Sequence, residues 1–147
     1  MSLGLQLGLS ALITTATVGL HLIGLGLLLR LLRLHRRRAP IRGAVAHDAI
    51  AVAGAAIGLF VLHAVEIWLY AAVYAVSGAL GSLEEALYFS TSTYTTVGYG
   101  DVVLPRGWRM LGAIEGANGI ILLGWSTAFF VAVVGRLRTL ELEISDR

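Results

Sequence analysis

A run rich in threonine and glycine near position 100 has the most specific chemistry in the sequence: Thr95-Thr96-Val97-Gly98-Tyr99-Gly100-Asp101. A dehydrated alkali cation needs oxygen atoms in place of its water, and successive backbone carbonyls supply them if they point the same way. That backbone requires conformations which glycine adopts at little cost, as Gly98 and Gly100 would. We expect the Thr96 hydroxyl to add one more oxygen at the inner end, and the side chains of Val97 and Tyr99 to point away from the ion.

A short helix is predicted directly before this run. Ser82 is the expected N-cap, and Glu85, three residues later, completes a capping box. The helix then continues to about Tyr94, which is roughly 18 Å at 1.5 Å per residue and too short to cross a bilayer. We therefore predict a re-entrant helix, and the negative end of its dipole would favour a cation at its carboxyl terminus.

Three longer segments can span a bilayer, which takes about 20 apolar residues. They cover residues 7–32, 49–76 and 108–134, in a chain that is 57% hydrophobic and has no cysteine. The missing cysteines exclude disulfides and thiolate metal sites. The predicted fold is an all-α membrane protein with three transmembrane helices and one re-entrant helix.

Arginine placement predicts the topology. All eleven basic residues are arginine; nine lie at or after the first and third spans, and only Arg106 and Arg109 lie on the other side. The positive-inside rule then places the N-terminus and the 95–101 run outside the cell membrane, and a basic linker (35–48) and a short tail (138–147) in the cytoplasm. Because the arginines flank apolar spans, they indicate no nucleic-acid partner. Arg30, Arg33 and Arg36 are interpreted as a topology anchor in preference to a voltage sensor.

Residues 49–137 resemble the pore module of bacterial two-transmembrane potassium channels: outer helix, pore helix, selectivity filter and inner helix. The resemblance is carried by the TVGYG run at 96–100 and is especially close from Tyr88 to Asp101. Residues 1–34 would add an N-terminal transmembrane helix to that module.

The resemblance implies a homotetramer in a lipid bilayer that conducts K⁺ passively, with no enzymatic activity. The filter residues would be Thr96, Val97, Gly98, Tyr99 and Gly100, and the carbonyls of the first four would bind K⁺, the one expected ligand. Tyr99 would brace the filter against the pore helix. The alternatives are a transport-system subunit that needs a partner for flux and a non-conducting membrane scaffold or sensor. Regulation of the channel itself would come from an unidentified partner, since the tail is too short for a regulatory domain.

Filter support is where the sequence departs from the family. Some members place a glutamate behind the filter, whereas this chain has Ser92 in that stretch, which leaves the bracing of Asp101 in doubt. We expect Glu115 to substitute by bonding to Ser92 or Thr93. The expected supporting residues are Thr95, Asp101, Ser92 and Glu115.

The third span contains candidates for gating and for the cavity. Gly119 or Gly124 matches the family's hinge glycine by context, with simple helix packing as the alternative. The expected cavity-lining residues follow a four-residue spacing: Ile120, Gly124, Ala128 and Ala132. A small-residue stripe on the first span, including Gly4, Gly8 and Gly19, is expected to permit close helix packing.

Polar residues inside a span are costly and face a partner or water. His63 and Glu66 share a helix face, and for Glu66 structural bonding or interfacial exposure is favoured over filter gating. For His21 an interhelical hydrogen bond is favoured over proton sensing. Asn118 would join the Glu115 network or face the cavity. Three aromatic residues are assigned to the outer membrane interface: Trp68, Tyr70 and Tyr74.

Overall fold

The computed structural model describes residues 1–37 and 44–145, with side chains at 1–37 and 46–135. Four α-helices follow in order: α1 (Leu3–Arg36), α2 (Ala44–Val76), α3 (Leu83–Tyr94) and α4 (Arg109–Ser145), the last preceded by a 3₁₀ turn at Arg106–Trp108. No strand occurs in these two ranges. The predicted all-α class is confirmed.

Three of the helices are long and apolar enough to cross a membrane, namely Leu3–Arg36, Ala46–Val76 and Arg106–Gly135. Each contains one of the predicted spans. Helix α4 continues without a break to Ser145, so the predicted tail is helical over most of its length. Residues 38–43 of the predicted basic linker lie outside the described residues.

Helix α3 begins and ends where the sequence predicts. The Ser82 hydroxyl accepts a hydrogen bond from the Glu85 amide at 3.1 Å, and the helix ends at Tyr94. The return bond of the capping box differs by one residue, because the Glu85 carboxylate accepts from the Gly81 amide at 2.9 Å and not from Ser82. Both bonds satisfy amides at a helix start, where no intrahelical acceptor exists.

The tyrosines of α2 belong to the core of the helical bundle. Tyr70 and Tyr74 are fully buried, whereas Trp68 is exposed. The prediction that both tyrosines join Trp68 at the membrane interface is therefore wrong. Their hydroxyls are hydrogen-bonded to other helices, which lets an aromatic ring with a polar tip lie inside an apolar bundle.

Helix α1 packs against α2 and α4 through a partly polar face. The buried residues on that face are Gln6, Ser10, Ile13, Thr17 and His21. A β-carbon built on Gly4, Gly8 or Gly19 would meet no atom within 4 Å, so the predicted small-residue stripe makes no close contact within the chain. Gly24 differs, because a β-carbon there would overlap the Leu62 side chain of α2. The packed face of α1 therefore combines this small-residue contact with polar contacts to neighbouring helices, such as His21 to Glu66.

Helix α4 approaches α3 through glycines. A β-carbon on Gly119 would overlap the carbonyl oxygen of Tyr94, and one on Gly116 would lie 3.3 Å from the Thr93 carbonyl oxygen. A β-carbon on Gly124 would meet nothing within 4 Å. Close packing therefore accounts for Gly119, and a hinge at Gly119 or Gly124 stays a prediction.

This contact predicts different effects for the two glycines. Gly119→Ala should destabilise the protein by about 1–3 kcal/mol, because the added methyl group meets backbone that cannot move independently of α3. Gly124→Ala is the matched control and should be neutral or slightly stabilising, since alanine favours helix. Thermal unfolding in detergent measures both variants, and equal melting temperatures would show that α4 and α3 are not in this contact.

Candidate ion-binding loop and the polar network behind it

The loop that follows α3, residues 95–101, has an alternating backbone. Thr96, Gly98 and Gly100 have φ values of 63°, 55° and 79°, while the residues between them have negative φ. Such alternation can turn successive peptide groups to one side; a row of amides so placed binds anions, and a row of carbonyls binds cations. The two glycines adopt the predicted left-handed conformation. Sequence reasoning missed Thr96, a β-branched residue whose positive φ costs on the order of 1–3 kcal/mol and needs support from its surroundings.

Main-chain amides tie the 95–101 loop back to α3. The Gly98 amide donates to the Ser92 carbonyl at 3.1 Å, and the Thr96 amide donates to the Thr93 carbonyl at 3.0 Å. The Tyr99 amide donates to the Ser92 hydroxyl at 3.4 Å. Ser92 thus contacts the loop twice. The Thr95 hydroxyl instead donates to the Thr91 carbonyl of its own helix at 2.7 Å.

Asp101 is held by α3 at the far end of the loop. The Tyr88 hydroxyl donates to its carboxylate at 2.7 Å. This bond lowers the pKa of Asp101 and raises the pKa of Tyr88, because it stabilises the carboxylate and holds the phenol proton. Tyr88 therefore braces Asp101, a partner that the sequence analysis did not identify.

The side chains of Val97 and Tyr99 make no comparable contact inside the chain. Val97 is 53% exposed and Tyr99 is 75% exposed. In a single subunit the Tyr99 ring therefore does not brace the loop against α3, and only its amide reaches Ser92.

Glu115 is fully buried on α4 and supports α3 from behind. Its carboxylate accepts hydrogen bonds from the Tyr74 hydroxyl at 2.7 Å and from the Ser90 hydroxyl. The expected hydrogen bond between Glu115 and the short helix α3 is confirmed, but the donor is Ser90 and not Ser92 or Thr93. Ser90 and Tyr94 are four residues apart and share the α3 face that meets α2 and α4, whereas Ser92 faces the loop.

A second buried carboxylate, Glu66, joins α1, α2 and α3. It accepts hydrogen bonds from His21 Nδ1 at 2.9 Å, from His63 Nδ1 at 3.0 Å and from the Tyr94 hydroxyl. The expected interhelical bond of His21 is confirmed, as is structural bonding of Glu66. Its interfacial exposure is wrong, because Glu66 has no exposed surface.

Asn118 completes the polar contacts of α4 with the other spans. Its amide donates to the Thr17 hydroxyl at 2.8 Å and to the Tyr70 hydroxyl at 3.2 Å. Asn118 therefore does not bond to the Glu115 carboxylate, and it does not lie on the predicted cavity face. Both predictions for this residue are wrong. Apart from His63, which is three residues from Glu66, the partners of Glu115, Glu66 and Asn118 lie 25 to 101 positions away, so only the tertiary fold could identify them.

The stripe proposed to line a cavity lies on the unpacked side of α4. Its residues are exposed in the single chain: Ile120, Gly124, Ala128 and Ala132. Leu122 and Ser126 on the packed side are buried. The cavity role of the stripe stays a prediction.

The Glu115 contacts predict a stability effect. Glu115→Ala should cost about 2–4 kcal/mol, because it leaves the buried Tyr74 hydroxyl without its acceptor and opens a cavity, while Ser90 keeps only the Ile67 carbonyl. Glu115→Gln keeps an acceptor and should cost less. The matched control is Glu84→Ala, at an exposed glutamate in the first turn of α3. Thermal unfolding in detergent should rank the variants in this order, and a Glu115→Ala protein as stable as the control would contradict the supporting role.

Comparison with known proteins bears on this arrangement of helices and loop. Residues 54–136 match the family model described as ion channel. This region runs from α2 through α3 and the 95–101 loop into α4. Neither the curated proteins nor the solved structures compared with the chain include a significant match. Since the matched region covers more than half of the 147 residues, the chain belongs to the ion channel family.

Proposed function

We propose that four copies of this chain assemble into a potassium-selective channel, with the main-chain carbonyls of residues 96–99 as the K⁺ ligands. The observation that carries the proposal is the alternating backbone of the Thr96–Gly100 run, with positive φ at every second residue. The run is the TVGYG sequence whose carbonyls replace the hydration shell of K⁺ in potassium channels. Its place within an ion channel family region supports the same function.

The number of copies comes from the resemblance to potassium channels, which place four TVGYG loops around the ion, and the geometry that K⁺ needs agrees with it. One loop supplies oxygens from one side only, whereas a dehydrated ion needs oxygens all round it. The exposed side chains of Val97 and Tyr99 favour the same arrangement, because a neighbouring subunit would cover them. In the assembly, Tyr99 would brace the loop by contact with that neighbour.

Helix α3 would contribute electrostatically as well as structurally. It ends at Tyr94, directly before the loop, so the negative end of its dipole points toward the proposed ion path. Four such helix ends around one axis would favour a cation in the space below the loop. The lower half of α4 would line that space with Ile120, Gly124, Ala128 and Ala132.

The proposed membrane orientation follows the arginines. The N-terminus and the 95–101 loop would lie outside the cell membrane, and the arginine-rich ends of α1 and α4 in the cytoplasm. The exposed arginines at the end of α1, Arg30, Arg33 and Arg36, would anchor that end at the membrane surface. A regulatory partner, if the channel uses one, would meet it at this cytoplasmic face.

Ion flux into liposomes tests the proposal. Purified protein should pass K⁺ much faster than Na⁺, and Ba²⁺, a doubly charged ion of similar size to K⁺, should block the flux. Gly98→Ala should abolish flux, because a side chain at a φ of 55° strains the ion-binding backbone.

The control for Gly98→Ala is Gly78→Ala. Gly78 also has positive φ, 68°, but lies in the turn between α2 and α3. Its replacement should cost about 1–2 kcal/mol of stability yet leave selective flux in place. Equal Na⁺ and K⁺ flux in wild type, or wild-type flux in Gly98→Ala, would refute the proposed function.

Accessibility of α4 to thiol reagents tests the cavity face. The chain has no cysteine, so a single introduced one is the only reactive thiol. Cysteine at Gly124 or Ala128 should react with a water-soluble thiol reagent and lower K⁺ flux. The control is Leu122→Cys, at a fully buried position on the packed face. Reaction at Leu122 without reaction at Gly124 or Ala128 would show that another face of α4 lines the ion path.

A further inference from the structure

The cluster around Glu66 contains a donor set suited to a metal ion. One nitrogen of His21, one nitrogen of His63 and a carboxylate oxygen of Glu66 all lie within 4.8 Å of one another. His21 Nδ1 is 2.9 Å from Glu66 Oε1, and His63 Nδ1 is 3.0 Å from Glu66 Oε2. In a tetrahedral zinc site with bonds of about 2.0–2.1 Å, neighbouring ligand atoms are about 3.3 Å apart. Small side-chain movements would therefore be enough to seat an ion.

The surroundings of the donor set match those of a metal site. Ligating histidines usually donate their second ring N–H to an oxygen, and ligating carboxylates are hydrogen-bonded in turn. His63 Nε2 lies 2.8 Å from the Ser126 hydroxyl. The Tyr94 hydroxyl donates to Glu66. Both outer contacts would hold the ligands in place.

Hydrogen bonding alone leaves the cluster incomplete. His21 is fully buried, yet its Nε2 has no hydrogen-bond partner among the described residues. A buried polar atom without a partner costs about 1–3 kcal/mol. An ion that took its imidazole ligand from His21 Nε2 would give this atom a partner, whereas an ion bound through Nδ1 would not.

The charge of the cluster also favours a cation. An ionised carboxylate inside a membrane span requires a compensating charge or a metal. The arginines with described side chains lie at the ends of the spans, at positions 30–37, 106 and 109, and none forms an ion pair with Glu66. Its partners are two histidines and a tyrosine, so the compensating charge is either a proton on one histidine or a bound ion.

We propose that His21, His63 and Glu66 bind a divalent transition-metal ion, with Zn²⁺ the best fit, between α1 and α2. Two imidazole nitrogens and one carboxylate oxygen form a donor set that zinc accepts, with a fourth position left for water. An open groove of about 330 Å³ between α2 and α4 is lined in part by His63 and Ser126, so it reaches the His63 edge of the site.

The ion would connect α1 to the loop that we propose binds K⁺. Glu66 bonds to Tyr94, and Tyr94 is the last residue of α3, directly before that loop. Metal binding would fix Glu66 against α1 and so fix the end of α3. This effect on flux rests on the proposed channel function, whereas metal binding itself does not.

Metal content and thermal stability test the site in the purified full-length protein. After treatment with a chelator and titration with Zn²⁺, wild type should bind about one ion per subunit, as three ligands predict, and its melting temperature should rise. His21→Ala and Glu66→Gln should weaken Zn²⁺ binding by at least about 100-fold. Mg²⁺ should not replace Zn²⁺, because imidazole nitrogen is a poor ligand for Mg²⁺.

Two controls separate this site from general effects. Thr17→Ala removes another buried hydrogen bond of α1, to Asn118, and should keep the metal. His35→Ala removes the histidine that stacks on His47 near the end of α1, and should also keep it. The proposal is wrong if wild type neither binds Zn²⁺ nor melts at higher temperature with it, or if His35→Ala loses the ion while His21→Ala and Glu66→Gln retain it.

Flux measurements separate this inference from the channel proposal. Removal of Zn²⁺ should change K⁺ flux through the wild-type protein and leave K⁺ flux through the Glu66→Gln variant unchanged. Zinc binding without any K⁺ flux would refute the channel and keep the metal site. Selective K⁺ flux without zinc binding would refute the metal site and keep the channel.

Discussion

The 95–101 loop depends on the position of α3, because the amides of Thr96, Gly98 and Tyr99 all donate to that helix. A helix of 12 residues has little stability of its own in isolation. It is held from behind by two buried carboxylates, Glu115 through Ser90 and Glu66 through Tyr94. The two carboxylates therefore support the alternating loop backbone indirectly: they hold α3, and α3 holds the loop.

Glycine and carboxylate contacts act together at the end of α3. Gly119 lets α4 reach the Tyr94 carbonyl, and Glu66 accepts from the hydroxyl of the same tyrosine. In a low-dielectric bundle each such bond is strong when made and costly when broken. The arrangement favours one position of α3, which a loop with the strained Thr96 conformation requires.

Helix α1 also contributes to these polar contacts, although it precedes the ion channel family region. It contributes His21 to the Glu66 cluster and Thr17 to Asn118. Both contacts lie in its buried, polar face. The N-terminal helix is therefore joined to the helices that position the loop, and its removal would leave Glu66 and Asn118 with fewer partners.

Local features of the fold could be predicted from the sequence, whereas partners could not. Apolar length identified the three spans, Ser82 identified the start of α3, and Gly98 and Gly100 identified left-handed backbone, because each property depends on near neighbours in the chain. The partners of Glu115, Asn118 and His21 are 25 to 101 positions distant, and helix rotation decides them. The interfacial position predicted for Tyr70 and Tyr74 is wrong for the same reason, because sequence alone does not distinguish an interfacial tyrosine from a buried one.

The central claim, that main-chain oxygens of residues 96–99 bind K⁺ on the axis of a tetramer, is tested most directly by anomalous diffraction from crystals grown with Rb⁺, a K⁺ analogue. The account predicts a row of anomalous peaks on a fourfold axis, level with the carbonyls of Thr96, Val97, Gly98 and Tyr99. The same crystals transferred to Na⁺ should lose that row. An assembly without fourfold symmetry, or a fourfold assembly with no Rb⁺ between these carbonyls, would contradict it.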